Sequence, residues 1–230
     1  MIPFIVIYSL FLVAYFFTRP GNDIADKGGK KQLWIRAINK YIMATMYMVY
    51  AIIVYINKDF GLLSYHLIFL VALFYAYLGD IFLVFDLNRG GDYFLAGNFI
   101  FALYYICLFI DNGLTFANFF WVFIIWAVML GSFIFASNKF PKVFKLGKMK
   151  FPMIFYLSSI MLHGSCGIGA MILLKSTAGF VFGLGSVMFM ISDFILTTDK
   201  FVIRNNKWIV RANSFFYFIG LLLIALSIGF

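Results

Sequence analysis

Residues 62–86 read LLSYHLIFLVALFYAYLGDIFLVFD, and this stretch decides the fold. From Leu67 to Phe85 it holds a single charged side chain, Asp80. An α-helix needs about 20 mostly apolar residues to cross the hydrocarbon core of a bilayer, and the run supplies them without a break. A carboxylate inside such a run is costly and marks a functional position by default.

The rest of the chain has the same character. Of 230 residues 64% are hydrophobic and 12% charged, with 32 phenylalanines. Charged residues make up about a quarter of ordinary soluble domains. All nine acids are aspartate, whereas soluble helices use glutamate freely on their wet faces. This composition excludes a soluble domain, a disordered chain, a collagen-like repeat and a disulfide scaffold. The formal charge of +9 lies between the apolar runs and not along an amphipathic stripe. Anionic lipid headgroups are therefore its counter-charge, and nucleic acid is not an expected partner. Cys107 and Cys166 both fall inside apolar runs without a CxxC or Cys/His spacing, which argues against a disulfide or a zinc site. The first run, Ile2 to Thr18, lacks a basic leader and is too long for a signal segment, so it reads as a retained helix.

Apolar runs at 2–18, 34–56, 62–86, 93–110, 114–136, 151–174, 177–198 and 208–230 predict an all-α, polytopic membrane bundle of eight transmembrane helices forming one domain over 1–230. Turn chemistry separates them, as at Arg19-Pro20-Gly21-Asn22-Asp23, Asn57-Lys58-Asp59, Asn88-Arg89-Gly90-Gly91-Asp92, Asp111-Asn112-Gly113 and the basic stretch Ser137 to Lys150. Short connections make consecutive helices antiparallel neighbours. Of the 18 Lys and Arg, all but Lys58 and Lys175 fall on the side of the odd-numbered connections. The positive-inside rule then puts both termini outside and the odd connections in the cytoplasm. Abundant Phe and a preference for Lys over Arg fit an AT-rich bacterial genome and a bacterial plasma membrane.

The halves also echo one another. Gly79-Asp80-Ile81-Phe82-Leu83 parallels Ser192-Asp193-Phe194-Ile195-Leu196, each with a second aspartate six residues on, Asp86 and Asp199. Gly97-Asn98-Phe99 parallels Ala212-Asn213-Ser214 at a similar interval, close to half the chain. The pattern reads as two four-helix repeats of equal orientation.

Asp80 and Asp193 each lie some 8–9 Å inside the cytoplasmic end of their spans, from about 1.5 Å of rise per residue. Lys40 enters from the same side in the second span. Two negative charges and one positive thus fall in one layer, either a site or a packing cluster. Asp86 and Asp199 sit at the interface beside Arg89 and Lys200 and read as solvated anchors. His163 is an interhelical hydrogen bonder or a neighbour of the site, and His66 is structural. Two histidines so far apart do not form the histidine-rich metal site of membrane hydrolases, so no metal or cofactor is expected. Asn98 and Asn213 accompany the aspartate motifs and are candidate substrate contacts, although an interhelical hydrogen bond needs no function. Tyr104, Tyr105 and Tyr217 are candidate pocket residues, with Tyr104 and Tyr217 carried as substrate contacts despite the abundance of aromatics. Gly164, Gly167, Gly179, Gly183 and Gly185 mark close approach of the sixth and seventh helices. No GxSxG, Walker A, HExxH or CDP-alcohol transferase pattern occurs. The D-x5-D pairs are not a prenyltransferase magnesium motif either, because that spacing sets the carboxylates about 240° apart around a helix.

Leu78-Gly79-Asp80, Gly97 with its aromatic neighbours, Ser192-Asp193 and the early Lys40 resemble the motifs of the lysoplasmalogenase-like (YhhN-type) membrane family, in order and over nearly the whole chain. The resemblance implies an eight-helix membrane hydrolase that cleaves the vinyl ether bond of lysoplasmalogens. The products are a fatty aldehyde and glycerophosphoethanolamine or glycerophosphocholine. It also implies that Asp80 and Asp193 are the family's intramembrane acids and Lys40 its lysine. The chain departs from many relatives at Leu103, Leu221 and Tyr41, where a histidine, a polar residue and a proline are usual.

Two carboxylates suit that chemistry on their own merits. Vinyl ether hydrolysis begins with protonation of carbon and passes through an oxocarbenium ion that water captures. One carboxyl must keep its proton near neutral pH and the other must stay ionised, a division that unlike environments produce. Glycosidases apply it to a related cation. Asp193 is assigned as the acid and Asp80 as the ionised partner, with the roles interchangeable on sequence grounds. Lys40 would hold the lipid phosphate or tune the pair. Lysophospholipid substrate and membrane lipids are the expected partners. A proton- or ion-coupled transporter is the alternative, since duplicated halves with intramembrane charges fit ion coupling. A non-catalytic lipid-binding protein is a third.

Overall fold

The computed structural model describes residues 2–18, 29–61, 64–85, 87–144, 146–202 and 206–230. Among them the chain forms eight α-helices and no strand: α1 (Ile2–Thr18), α2 (Gly29–Asn57), α3 (His66–Phe85), α4 (Leu87–Asp111), α5 (Phe116–Lys139), α6 (Lys150–Leu173), α7 (Thr177–Phe201) and α8 (Lys207–Ser227). A one-turn 3-10 helix, Gly147–Met149, leads into α6. Helices are the expected solution for so apolar a chain, because each satisfies its backbone hydrogen bonds within itself. Six of them (α2 and α4 to α8) are long and apolar enough to cross a membrane, and α1 and α3 are shorter apolar helices. The chain is an integral membrane protein.

Asn88-Arg89-Gly90-Gly91-Asp92, expected as a turn, instead forms the first turns of α4, so that only residue 86 separates α3 from α4. The turn-forming residues sit at a helix start, where an incomplete hydrogen-bond ladder tolerates them. Asp86 itself, with Arg19, Lys27, Lys145 and Arg204, lies outside the described residues. Asp199, expected as a solvated anchor, is buried, because α7 continues past it to Phe201.

Most consecutive helices pack together as the short connections require, the α3–α4 and α7–α8 pairs most extensively. The α4–α5 pair is the exception: each of these helices packs more extensively on α6 than on the other. α2 and α1 both pack on α8, which closes the bundle. The main core is aromatic, with Phe69, Phe101, Tyr105, Phe109 and Phe182 buried together. A second cluster joins α1, α2 and α8 through Tyr8, Met43 and Phe218.

Two close crossings set the register. A Cβ at Gly97 of α4 would stand 3.2 Å from the Ala72 carbonyl of α3 and 3.4 Å from the Ala76 nitrogen. A Cβ at Gly220 of α8 would stand 2.9 Å from the Gly185 carbonyl of α7 and 2.9 Å from the Phe189 nitrogen. The expected α6–α7 approach is real at Gly167, where a Cβ would meet the Gly183 carbonyl at 3.0 Å. Gly185, however, serves the α7–α8 crossing, and Gly179 packs under Leu174 in the preceding turn.

Candidate functional site

Asp80 is fully buried on α3 and its charge is fully answered. The Lys40 ammonium on α2 lies 2.9 Å from Oδ1. Two turns further along α2, Tyr47 donates its hydroxyl to Oδ2 at 3.0 Å. From α8 the Tyr217 hydroxyl donates to Oδ1 at 2.5 Å. Lys40 also stands 5.6 Å from the centre of the Tyr217 ring. A buried carboxylate survives away from water only with this kind of complete satisfaction, so three helices are tied at one point.

Asp193, on α7, is as deeply buried at 3% exposure, but its surroundings differ. Among the described residues its Oδ2 has no hydrogen-bond partner. The Tyr156 hydroxyl on α6 is the polar group set against its carboxyl, and Lys40 and Asp80 lie within electrostatic reach. Its backbone carbonyl accepts from the Thr197 hydroxyl at 2.8 Å, and the same hydroxyl faces the Met153 sulfur at 4.0 Å. On the next helix, Asn213 accepts from the Ser192 hydroxyl at 2.7 Å.

Between these groups lies a cavity of about 820 Å³. Lys40, Phe94, Tyr156, Asp193, Asn213 and Tyr217 contribute to its wall, with Met149 from the 3-10 turn, Pro152 and Met153 from the start of α6 and Phe201 from the end of α7. The volume falls within the range of about 300–1,000 Å³ typical of small-ligand sites. The wall is mainly apolar, and Asp92, Thr197 and Ser214 are among its further polar members. Asp80 is not part of the wall; it stands behind Lys40 and Tyr217, which are.

Lys40, Asp80, Asp193, Asn213 and Tyr217 are therefore brought together. Asn98 and Tyr104 are not. Asn98 is buried against His163, its Oδ1 2.9 Å from Nδ1, with Phe101 stacked on the imidazole at 4.7 Å. Tyr104 pairs with His66 at 3.1 Å, at the opposite end of α3 from Asp80. Tyr47 and Tyr156 were missed by the sequence reading. Tyr47 follows Lys40 by seven residues, the same face of a helix after two turns, and that periodicity was available. Tyr156 carried no signal among 14 tyrosines.

A bundle of apolar helices that buries Asp80 and Asp193 close to a cavity of this size is an integral membrane protein with a candidate acid site. Residues 35–228 match the model of the YhhN family, and the chain belongs to that family. No curated protein and no solved structure matches it.

Proposed function

We propose that this protein is a membrane hydrolase that cleaves the vinyl ether bond of a lysoplasmalogen. The observation that carries the reading is the inequality of two buried acids beside one cavity: Asp80 is answered by a lysine and two tyrosines, whereas Asp193 has a bare oxygen. The first is a fixed anion and the second a proton donor.

In the proposed reaction the alkenyl tail lies along the apolar wall with its double bond against Asp193. The π electrons take the Asp193 proton onto the carbon remote from oxygen, and the ether oxygen supports the resulting oxocarbenium ion. The carboxylate left on Asp193 faces that cation and stabilises it. Water adds to the cationic carbon and returns a proton to Asp193. The hemiacetal then breaks its bond to the glycerol oxygen, which takes the hydroxyl proton. One water is consumed, and a fatty aldehyde and a glycerophospho-headgroup alcohol leave. Asp80 acts through Lys40 and Tyr217: by neutralising Lys40 it keeps a free cation away from both the acid and the intermediate. Lys40 accordingly tunes the acid pair and is not a free phosphate clamp.

The same reading has all eight helices crossing the bilayer, both termini outside, and the cavity in the cytoplasmic leaflet where the basic connections lie. The test is fatty-aldehyde release from lysoplasmenylethanolamine by the detergent-purified protein. Release by wild type and its loss in a folded Asp193→Asn variant support the proposal; a well-folded wild type without release overturns it.

A further inference from the structure

The two crossings described above share the same pair of backbone contacts, a carbonyl oxygen and the amide nitrogen four residues on. The interval from Ala72 to Gly185 and from Ala76 to Phe189 is the interval from Asp80 to Asp193. Gly97 and Gly220 are then the equivalent positions on α4 and α8, and Asn98 and Asn213 are not. Packing agrees: α2 lies against α3 and α8, and α6 lies against α7 and α4. We infer that the bundle is a duplicated four-helix unit, and that Met153, Ile160 and Phe94 are the positions that make its two acids unlike, with Met153 as the principal one.

Each of the three donors that answer Asp80 has a counterpart by register. Lys40 precedes Asp80 by the same interval as Met153 precedes Asp193, and Tyr47 corresponds in the same way to Ile160. Tyr217 precedes Gly220 as Phe94 precedes Gly97. The lysine and two tyrosines around Asp80, with Tyr217 supplied by the second half, thus correspond to methionine, isoleucine and phenylalanine, with Phe94 supplied by the first half. None of the three replacements donates a hydrogen bond to a carboxylate. Met153 stands where a cation would be needed: it lines the cavity with Asp193, and its sulfur meets the Thr197 hydroxyl that is also bonded to the Asp193 carbonyl. Phe94 lines the same cavity and its ring is 6.1 Å from that of Tyr217. On this inference Asp193 holds its proton because the lysine and two tyrosines that answer Asp80 have no donating counterparts, which leaves the Tyr156 hydroxyl as the polar group against its carboxyl. Met153 and Phe94 are positioning residues that act through Asp193, and their catalytic consequence rests on the vinyl ether reading.

The test restores the missing groups in the full-length protein. Infrared difference spectra of wild type against Asp193→Asn report the carbonyl stretch of a protonated carboxyl, and no substrate is needed. The wild type is expected to show an Asp193-dependent band. Met153→Lys is expected to abolish it and to slow aldehyde release about 10²-fold or more, the range of a lost general acid. Phe94→Tyr is expected to keep the band, shift it to lower frequency through a new hydrogen bond, and slow release several-fold. A wild type without the band, or a folded Met153→Lys that keeps both band and rate, would overturn the inference. Should Met153→Lys not fold, an unshifted band in Phe94→Tyr overturns it instead. If wild type shows the band but releases no aldehyde, the vinyl ether reading falls and the band comparison still decides this inference.

Discussion

Asp80 and Asp193 occupy matching places on α3 and α7 and are buried to the same degree, yet one is gripped by three donors and the other by none on its Oδ2. Burial alone therefore does not decide what an intramembrane acid does; its partners do. An aspartate whose Coulombic and hydrogen-bonding demands are met is a structural anion, which ties α2, α3 and α8. On the proposed reading, an aspartate at similar burial without those partners is a store of one proton beside the cavity.

The largest effect should come from removing the proton. Asp193→Asn is expected to lower aldehyde release by about 10²–10⁴-fold while leaving the thermal transition in detergent close to wild type, because no ion pair is lost. Asp80→Asn should behave differently. It leaves Lys40 as an uncompensated, mostly buried cation, at a cost of about 3–5 kcal/mol in stability. The freed ammonium also turns toward Asp193, so hydrolysis falls as well. Adding Lys40→Met to Asp80→Asn removes that cation, and the double variant is expected to recover both stability and rate relative to Asp80→Asn. A double-mutant cycle reads the coupling directly, and a double variant no better than the single one would break the comparison.

A smaller effect is expected at Tyr217. Tyr217→Phe removes one hydrogen bond to a charged group, about 1.5–3 kcal/mol, while Lys40 and Tyr47 still hold Asp80. Hydrolysis should fall less than in Asp80→Asn. The smallest effect lies at the far end of the bundle, where the exposed Tyr65 hydroxyl donates to Asp111 at 2.8 Å. Tyr65→Phe should change stability by about 0.5 kcal/mol or less and leave aldehyde release as it was.

Much of this architecture was legible in the sequence for a simple reason. Apolar runs of spanning length leave the backbone no alternative to helix, so all eight helices were found with their order. Charges are so rare in those runs that Asp80, Asp193 and Lys40 stood out unaided. The register between halves was harder. Asn98 and Asn213 looked equivalent because asparagine is conspicuous, whereas the landmarks of the inferred duplication, Gly97 and Gly220, are two among 19 glycines and stand out only through backbone contact across a crossing. Tyr104 and Tyr217 are equally inconspicuous in a chain that is 22% aromatic, yet one faces Asp80 and the other faces His66. Which helix face meets which neighbour is a tertiary fact, and a chain apolar on nearly every face gives no hydrophobic stripe from which to read it.

The most direct test of the central claim follows the proton itself. Hydrolysis of lysoplasmenylethanolamine by purified protein in D2O should proceed more slowly than in H2O and deliver one deuterium to the carbon next to the aldehyde, with Asp193→Asn releasing almost no product. Aldehyde released by a folded Asp193→Asn at the wild-type rate would contradict the account.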